Sequence, residues 1–293
     1  MFFLLALLAS IAYSLDSTLM ASCYRTMDRP SAVAYRGLAL AFTMLPLLFF
    51  VPLGDLQRAP QYLPWILCAS ACAAVGNVAI ARSFLFLPIG VASALCMSNA
   101  ALTATALSYF VSGDTVSTSQ LCLAAFVLVT VLALGLSQST GPLPAQYSVR
   151  RGIISSVLFG LFLGTAIALV GFISRQIHPF AVGYLWESLI GVLAMTYALL
   201  RGVWGAAGFS RISPAHFLKI ARYCSPTVVG TGCYAFTMTL GPIGIASAIV
   251  SSAMVFNTIL AALFYGERLT RKQVALLITV CAAVAGLKFV TGG

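Results

Sequence analysis

Charge is what this sequence lacks first. Aspartate, glutamate, lysine and arginine together make up 8% of its 293 residues, and only six of those side chains are acidic. Disorder needs high charge and low hydrophobicity, so it is excluded. A water-soluble fold is excluded too. With 61% hydrophobic residues and a mean hydropathy of +1.02, it would expose large apolar patches and aggregate. Histidine is nearly missing, with two in the chain. His178 and His216 lie in loop-like contexts far from the helix-spaced pair Cys68 and Cys72, so a metal site lacks its remaining ligands. The eight cysteines sit mostly inside apolar runs, where a free thiol acts as a small hydrophobe. There is no HExxH, no paired intramembrane aspartates and no Walker motif. An intramembrane enzyme or an ATP-driven pump therefore has no support, and neither a cofactor nor a metal is expected.

What the chain does have is apolar length. A bilayer core of about 30 Å takes about 20 mostly apolar residues per helix, and ten runs meet that demand. They cover roughly 2–22, 33–52, 64–82, 86–110, 119–137, 152–173, 180–200, 218–239, 242–264 and 271–289. The breaks between them include MDRP (27–30), VPLGDLQRAP (51–60), SGDTVS (112–117), SRQIHP (174–179) and GERLTRK (266–272). Pro88 near the start of the fourth run suits a tilted or broken helix. Strands of a β-barrel alternate and are short, which these runs do not. The N-terminal MFFLLALLASIAYSLDSTLM has no basic leading segment, so it reads as a first span rather than a removed signal. Against the six acids stand sixteen lysines and arginines, a formal charge of +10. They are scattered between apolar runs, which suits anionic lipid headgroups and not nucleic acid. Twelve fall in odd-numbered connections, so the positive-inside rule predicts those connections in the cytoplasm and both termini outside. Trp65 and Trp204 read as interfacial anchors.

The chain also repeats itself. PIGVASA (88–94) and PIGIASA (242–248) are identical at six of seven positions, 154 residues apart. A Gly-acidic pair follows each, Gly113-Asp114 and Gly266-Glu267, at an offset of 153. RPSAVAY (29–35) precedes them as HPFAVGY (178–184) does. The expectation is two five-helix repeats, residues 1–140 and 151–293, joined by a linker at 141–150. Five is odd, so the second repeat enters the membrane inverted. Inverted repeats with a site at their interface are an architecture of secondary transporters.

These features resemble the drug/metabolite transporter superfamily, and within it the ten-span exporters built of two EamA domains. The paired PIG-x-ASA segments, the GERLTRKQ turn (266–273) with its weaker partner GDTVSTSQ (113–120), and the glycine-containing ends near Gly135 and Gly286 carry the likeness. The resemblance implies an all-α integral membrane fold, ten transmembrane helices in two inverted five-helix repeats around a central pathway. It implies efflux of small metabolites, often amino acids or related compounds, and a bacterial inner membrane with cytoplasmic termini, the reverse of the charge count. The family pattern has a proline inside the fourth span of each half; none stands near Ala101 or Met254, so no particular substrate carries over.

A transport pathway needs polar groups inside the apolar runs. Asp16 lies about 9 Å inside the first run, where a carboxylate faces a cavity or a partner. It suits a proton carrier or a fixed ion pair with Arg36. Arg36 in turn suits a substrate carboxylate or snorkels to the headgroups. Glu187, near the middle of the seventh run, has no basic residue close in sequence. Its estimated depth differs from that of Asp16 by about 9 Å, so the two are expected to line successive levels of one pathway. Asn77, Asn99 and Asn257 offer amide contacts to substrate or between helices. Tyr13, Tyr35, Tyr184, Trp186 and Tyr234 combine apolar area with a polar handle. The expected partners are a small-molecule substrate, protons if transport is coupled, and the lipid bilayer; a monomer is compatible with the sequence. The competing readings are a facilitative uniporter or exchanger, and a membrane scaffold or receptor that moves nothing.

Overall fold

The computed structural model describes residues 1–114, 117–136, 144–203, 209–266 and 270–290. Among the described residues the chain is helical throughout and has no strand. The elements are α1 (Phe2–Thr26), α2 (Arg29–Thr43), a 3-10 segment (Leu45–Phe50), α3 (Leu53–Phe86), α4 (Ile89–Ser112), α5 (Thr118–Leu136), α6 (Val149–Ser174), α7 (Pro179–Val203), α8 (Pro214–Cys224), α9 (Pro226–Leu240), α10 (Ile243–Ser251), α11 (Ala253–Tyr265) and α12 (Arg271–Val290). Among the described residues, six segments are long and apolar enough to cross a membrane: α1, α3, α4, α6, α7 and the pair α10–α11. The other apolar runs form the shorter or interrupted helices α2, α5, α8–α9 and α12.

Turn chemistry sets most of the boundaries. Asp28 caps α2 by accepting from the Ser31 N–H (3.2 Å) and hydroxyl (2.9 Å), with Pro30 in the first turn where no N–H is needed. Gly113 and Gly266 end α4 and α11 in the left-handed region, at φ 65° and 66°. A residue with a Cβ resists that conformation, so both helices stop at glycine.

Two expectations are corrected. Residues 51–60 are not an extended break, because α3 starts at Leu53 and carries Pro60 and Pro64 inside it. At 34 residues α3 is about 51 Å long, so its polar first turns reach beyond a 30 Å core. Trp65, in the fourth turn of α3, is half exposed and edge-on to Phe172. The eighth run is cut in two at Ser225 because Pro226 cannot donate to the preceding turn. Pro88 is the N-cap of α4, which then runs unbroken to Ser112, whereas in the related segment α10 gives way to α11 through i to i+3 bonds around Ser252. Two serines of α1 serve that break. Ser10 Oγ lies 3.1 Å from Ser252 Oγ, and Ser14 donates to the Ala253 carbonyl at 2.6 Å.

The main packings are α4 and α3 on α6, α2 on α7, α1 on α9, α4 on α10–α11 and α5 on α12. All of them join the first 140 residues to the last 150. Corresponding details recur. Arg25 Nε donates to the Phe84 carbonyl (3.0 Å), as Arg175 Nε does to that of Met238 (2.9 Å). Gly90 lies against Thr258, and Gly244 against Thr105. Asp114 accepts from Arg175 Nη1 (2.6 Å) and from the Ile243 N–H (2.8 Å), clasping the ends of α4, α6 and α10.

The tightest crossing is that of α2 and α7, where Gly37 and Gly191 meet backbone to backbone. A Cβ on Gly191 would stand 2.7 Å from the Gly37 carbonyl carbon and from the Leu38 nitrogen. Backbone cannot yield as a side-chain tip can. Gly191→Val is therefore expected to cost about 1–3 kcal/mol or more, read as a lowered thermal unfolding midpoint in detergent. Gly54→Ala, which meets nothing within 4 Å, serves as the control and is expected to leave the midpoint within a degree or two, on the order of the ±0.5 kcal/mol typical of surface changes.

Candidate functional site

The α2–α7 crossing also builds the site. Gly37 follows Arg36, and Gly191 lies one helical turn beyond Glu187, so the close approach sets the two charged residues face to face. Arg36 Nη1 donates to Glu187 Oε2 at 3.0 Å. On its other side the guanidinium reaches α1, with Nη2 3.2 Å from Asp16 Oδ2 and Nε 3.3 Å from both carboxylate oxygens. Nη2 also donates to Thr227 Oγ1 (3.1 Å) on α9. Thr231, one turn along α9, donates to Glu187 Oε1 at 3.0 Å. Its single hydrogen is thereby used, so Tyr13, whose hydroxyl is 3.1 Å away, is the donor in that contact. Four helices thus meet in one network: α1, α2, α7 and α9.

All three charges are buried, with side-chain exposures of 6% for Arg36, 9% for Asp16 and 4% for Glu187. Burying ions costs several kcal/mol each unless they are paired and hydrogen-bonded, and here every one is. Snorkelling of Arg36 is thereby replaced by pairing inside the bundle. Glu187 has a basic partner after all, 151 residues away in sequence. Asp16 and Glu187 do not bond each other; Arg36 spans the interval between their levels. With all three ionised, two carboxylates face one guanidinium, which leaves one negative charge in excess.

The network forms one wall of a cavity of about 90 Å³. Asn77 and Phe84 of α3, Phe159 of α6, Trp186 of α7 and Tyr234 of α9 are among the residues on its other sides. Small-molecule sites usually measure about 300–1,000 Å³, so in this conformation the space is closed down.

Of the residues expected in the pathway, Tyr13, Asp16, Arg36, Asn77, Trp186, Glu187 and Tyr234 line this cavity. The other four lie elsewhere. Asn99 bonds back to the Leu95 carbonyl (2.8 Å) where Gly160 packs on it. Asn257 accepts from Ser17 (2.7 Å) and Thr18 (2.9 Å), tying α11 to α1. Tyr35 donates to the Ser210 carbonyl and packs on Phe209. Tyr184 borders a separate groove with Leu56 and Pro60. Tyr35 and Tyr184 thus share repeat positions without sharing a site. Sequence reasoning missed Thr227, Thr231, Ser17 and Tyr24; the two threonines, four apart and so on one face of α9, were the available signal. Glu267, Arg268, Trp204 and residues 137–143, which include the start of the linker, lie outside the described residues.

With this geometry in view, the relatives are informative. Residues 150–289 match the EamA-like transporter family. No curated protein matches in sequence. A solved crystal structure, 14% identical, superposes with a TM-score of 0.69 over 98% of this chain and 96% of its own, and at that identity the fold alone is shared. The chain is a multi-pass membrane protein of the transporter class. The match over residues 150–289 points to transport rather than catalysis.

Removing Arg36 strands two buried carboxylates, whereas neutralising one carboxylate removes only the excess charge. Arg36→Met is therefore expected to cost about 3–5 kcal/mol, and Asp16→Asn clearly less. Unfolding midpoints of the two purified variants in one detergent check the order; equal losses would remove Arg36 as the central compensating charge.

Proposed function

We propose that this protein is a secondary transporter that exports small organic metabolites, amino acids or related compounds, by alternating access. The observation that carries the reading is the buried Asp16–Arg36–Glu187 network on the cavity wall. Two of its members come from the first half of the chain and one from the second. A buried charge cluster between two halves is costly as scaffolding, and intramembrane ionisable groups mark substrate and ion pathways. In this reading Arg36 holds a substrate carboxylate in exchange for one of its protein partners. The excess negative charge gives a proton a place to ride when the guanidinium is engaged elsewhere.

The architecture behind it is ten spans in two inverted repeats, 1–140 and 151–293. Its support is the reciprocity of the packing. Exchanging α1 with α6, α2 with α7, α3 with α8–α9, α4 with α10–α11 and α5 with α12 carries the main helix pairs onto one another or onto themselves. The twin Arg25 and Arg175 contacts follow the same exchange. The Asp114–Arg175 clasp would then hold one face of the bundle closed.

Uptake and counterflow in proteoliposomes, with a mixed pool of labelled amino acids and metabolites and with or without a pH gradient, test the proposal. Gradient-driven accumulation that falls at least about tenfold in Asp16→Asn and in Glu187→Gln is expected, a loss of about 1.4 kcal/mol or more in transition-state stabilisation. Gradient-independent exchange would make the protein a facilitative carrier. Wild-type rates in both variants would sink the site assignment.

A further inference from the structure

A basic cavity and an apolar groove meet at Arg82, on the outer side of the bundle. The cavity, about 140 Å³, lies among the α1–α2 junction, the end of α3 and the end of α7. Arg29, Arg82 and Arg201 line it, with Asp28 as the one acid. Asp28 is already engaged, accepting from Ser31 and from Arg201 Nη1 (3.2 Å). Arg29 Nε is buried without a hydrogen-bond partner. Arg82 makes no hydrogen bond or ion pair among the described residues. On the rim, Arg151 of α6 lies 5.8 Å over the ring of Phe86, which lines the same cavity. Four guanidiniums therefore face one occupied carboxylate. Such a cluster repels itself, and a phosphate, with several charged acceptor oxygens, fits its planar donors.

The groove, about 350 Å³, continues from Arg82 between α3, α6 and α7. Ala74, Ala79 and Ala194 make its floor, while Val75, Leu158 and Tyr197 stand half exposed along its walls. From Ala71 to Arg82 it follows eleven residues of α3, or about 16 Å. That length matches half of a hydrocarbon core about 30 Å thick. The charged end thus sits at headgroup level with an apolar channel one leaflet deep beneath it. A free phosphate would use only the cavity and leave the groove without a role.

We propose that one anionic phospholipid occupies this site, its phosphate held by Arg82 with Arg29 and Arg201, and one acyl chain in the groove. The inner faces of the same three helices carry Asn77, Leu163 and Trp186 of the central cavity. The lipid therefore lies behind the cavity wall and fixes the spacing of α3, α6 and α7.

Native mass spectrometry of the full-length protein in detergent, titrated with phosphatidylglycerol, phosphatidylcholine or inorganic phosphate, tests this. The expected result is one retained phosphatidylglycerol, bound at least about tenfold more tightly than phosphatidylcholine, whose choline cation the guanidinium cluster repels. Arg82→Gln at the headgroup end and Val75→Trp in the groove are each expected to lose that preference or that lipid, while Arg58→Gln, an exposed charge elsewhere on α3, retains both. Equal binding of the two lipids, or undiminished binding in Arg82→Gln, overturns the proposal. Inorganic phosphate competing fully with phosphatidylglycerol, together with no effect of Val75→Trp, overturns it in favour of a soluble anion. Because the readout is lipid retention, its failure leaves the transport reading untouched.

Discussion

One guanidinium holds this protein's centre together. Arg36 is shared between a carboxylate on α1 and another on α7, and each partner is unaffordable inside the bundle without it. The arrangement needs α2 and α7 closer than side chains normally permit, and Gly37 against Gly191 provides that approach. Packing and electrostatics are therefore one constraint here. The small-residue crossing makes the ion network possible, and the network gives the crossing its polar content.

The network is also under-neutralised. Two acids and one base form a set that welcomes one more positive charge, and Thr231, itself receiving the Tyr13 hydroxyl, donates to Glu187 and draws part of the surplus onto neutral groups. A fully balanced pair would have little reason to rearrange. A set short of one positive charge changes its preferred geometry whenever a proton or a competing carboxylate arrives, which is what a carrier requires of its centre.

Much of this was legible beforehand, and the failures have physical reasons. Apolar run length and turn residues located the helices, because hydropathy and glycine or proline chemistry act locally. Asp16, Arg36 and Glu187 stood out because charge inside such runs is rare. Their mutual contact was not legible: a partner 151 residues away is set by helix crossing, and depth counted from a span end assumes boundaries that α1 overran by four residues. Of the asparagines, Asn77 reaches the cavity, while Asn99 bonds back on its own helix and Asn257 takes the other reading offered for it, a contact between helices. Threonines hid because they are neutral and common. The α3 start was lost because Pro60 and Pro64 read as breaks, whereas α3 runs on through both.

The stitching of α1 to the break at Ser252 has a further consequence. Ser10 and Ser14 belong to the first half of the sequence, yet they complete the backbone of α10–α11 in the second. Together with the packing of α6 against α3 and α4, this makes each half supply a strut to the other. No division of the bundle into two separately packed bodies can therefore coincide with the division of the sequence into halves. If the chain were divided in its linker and the fragments made separately, each would leave a polar seam facing lipid, and neither would persist until the other arrived. The gene can be read as a duplication, but the folded object is indivisible.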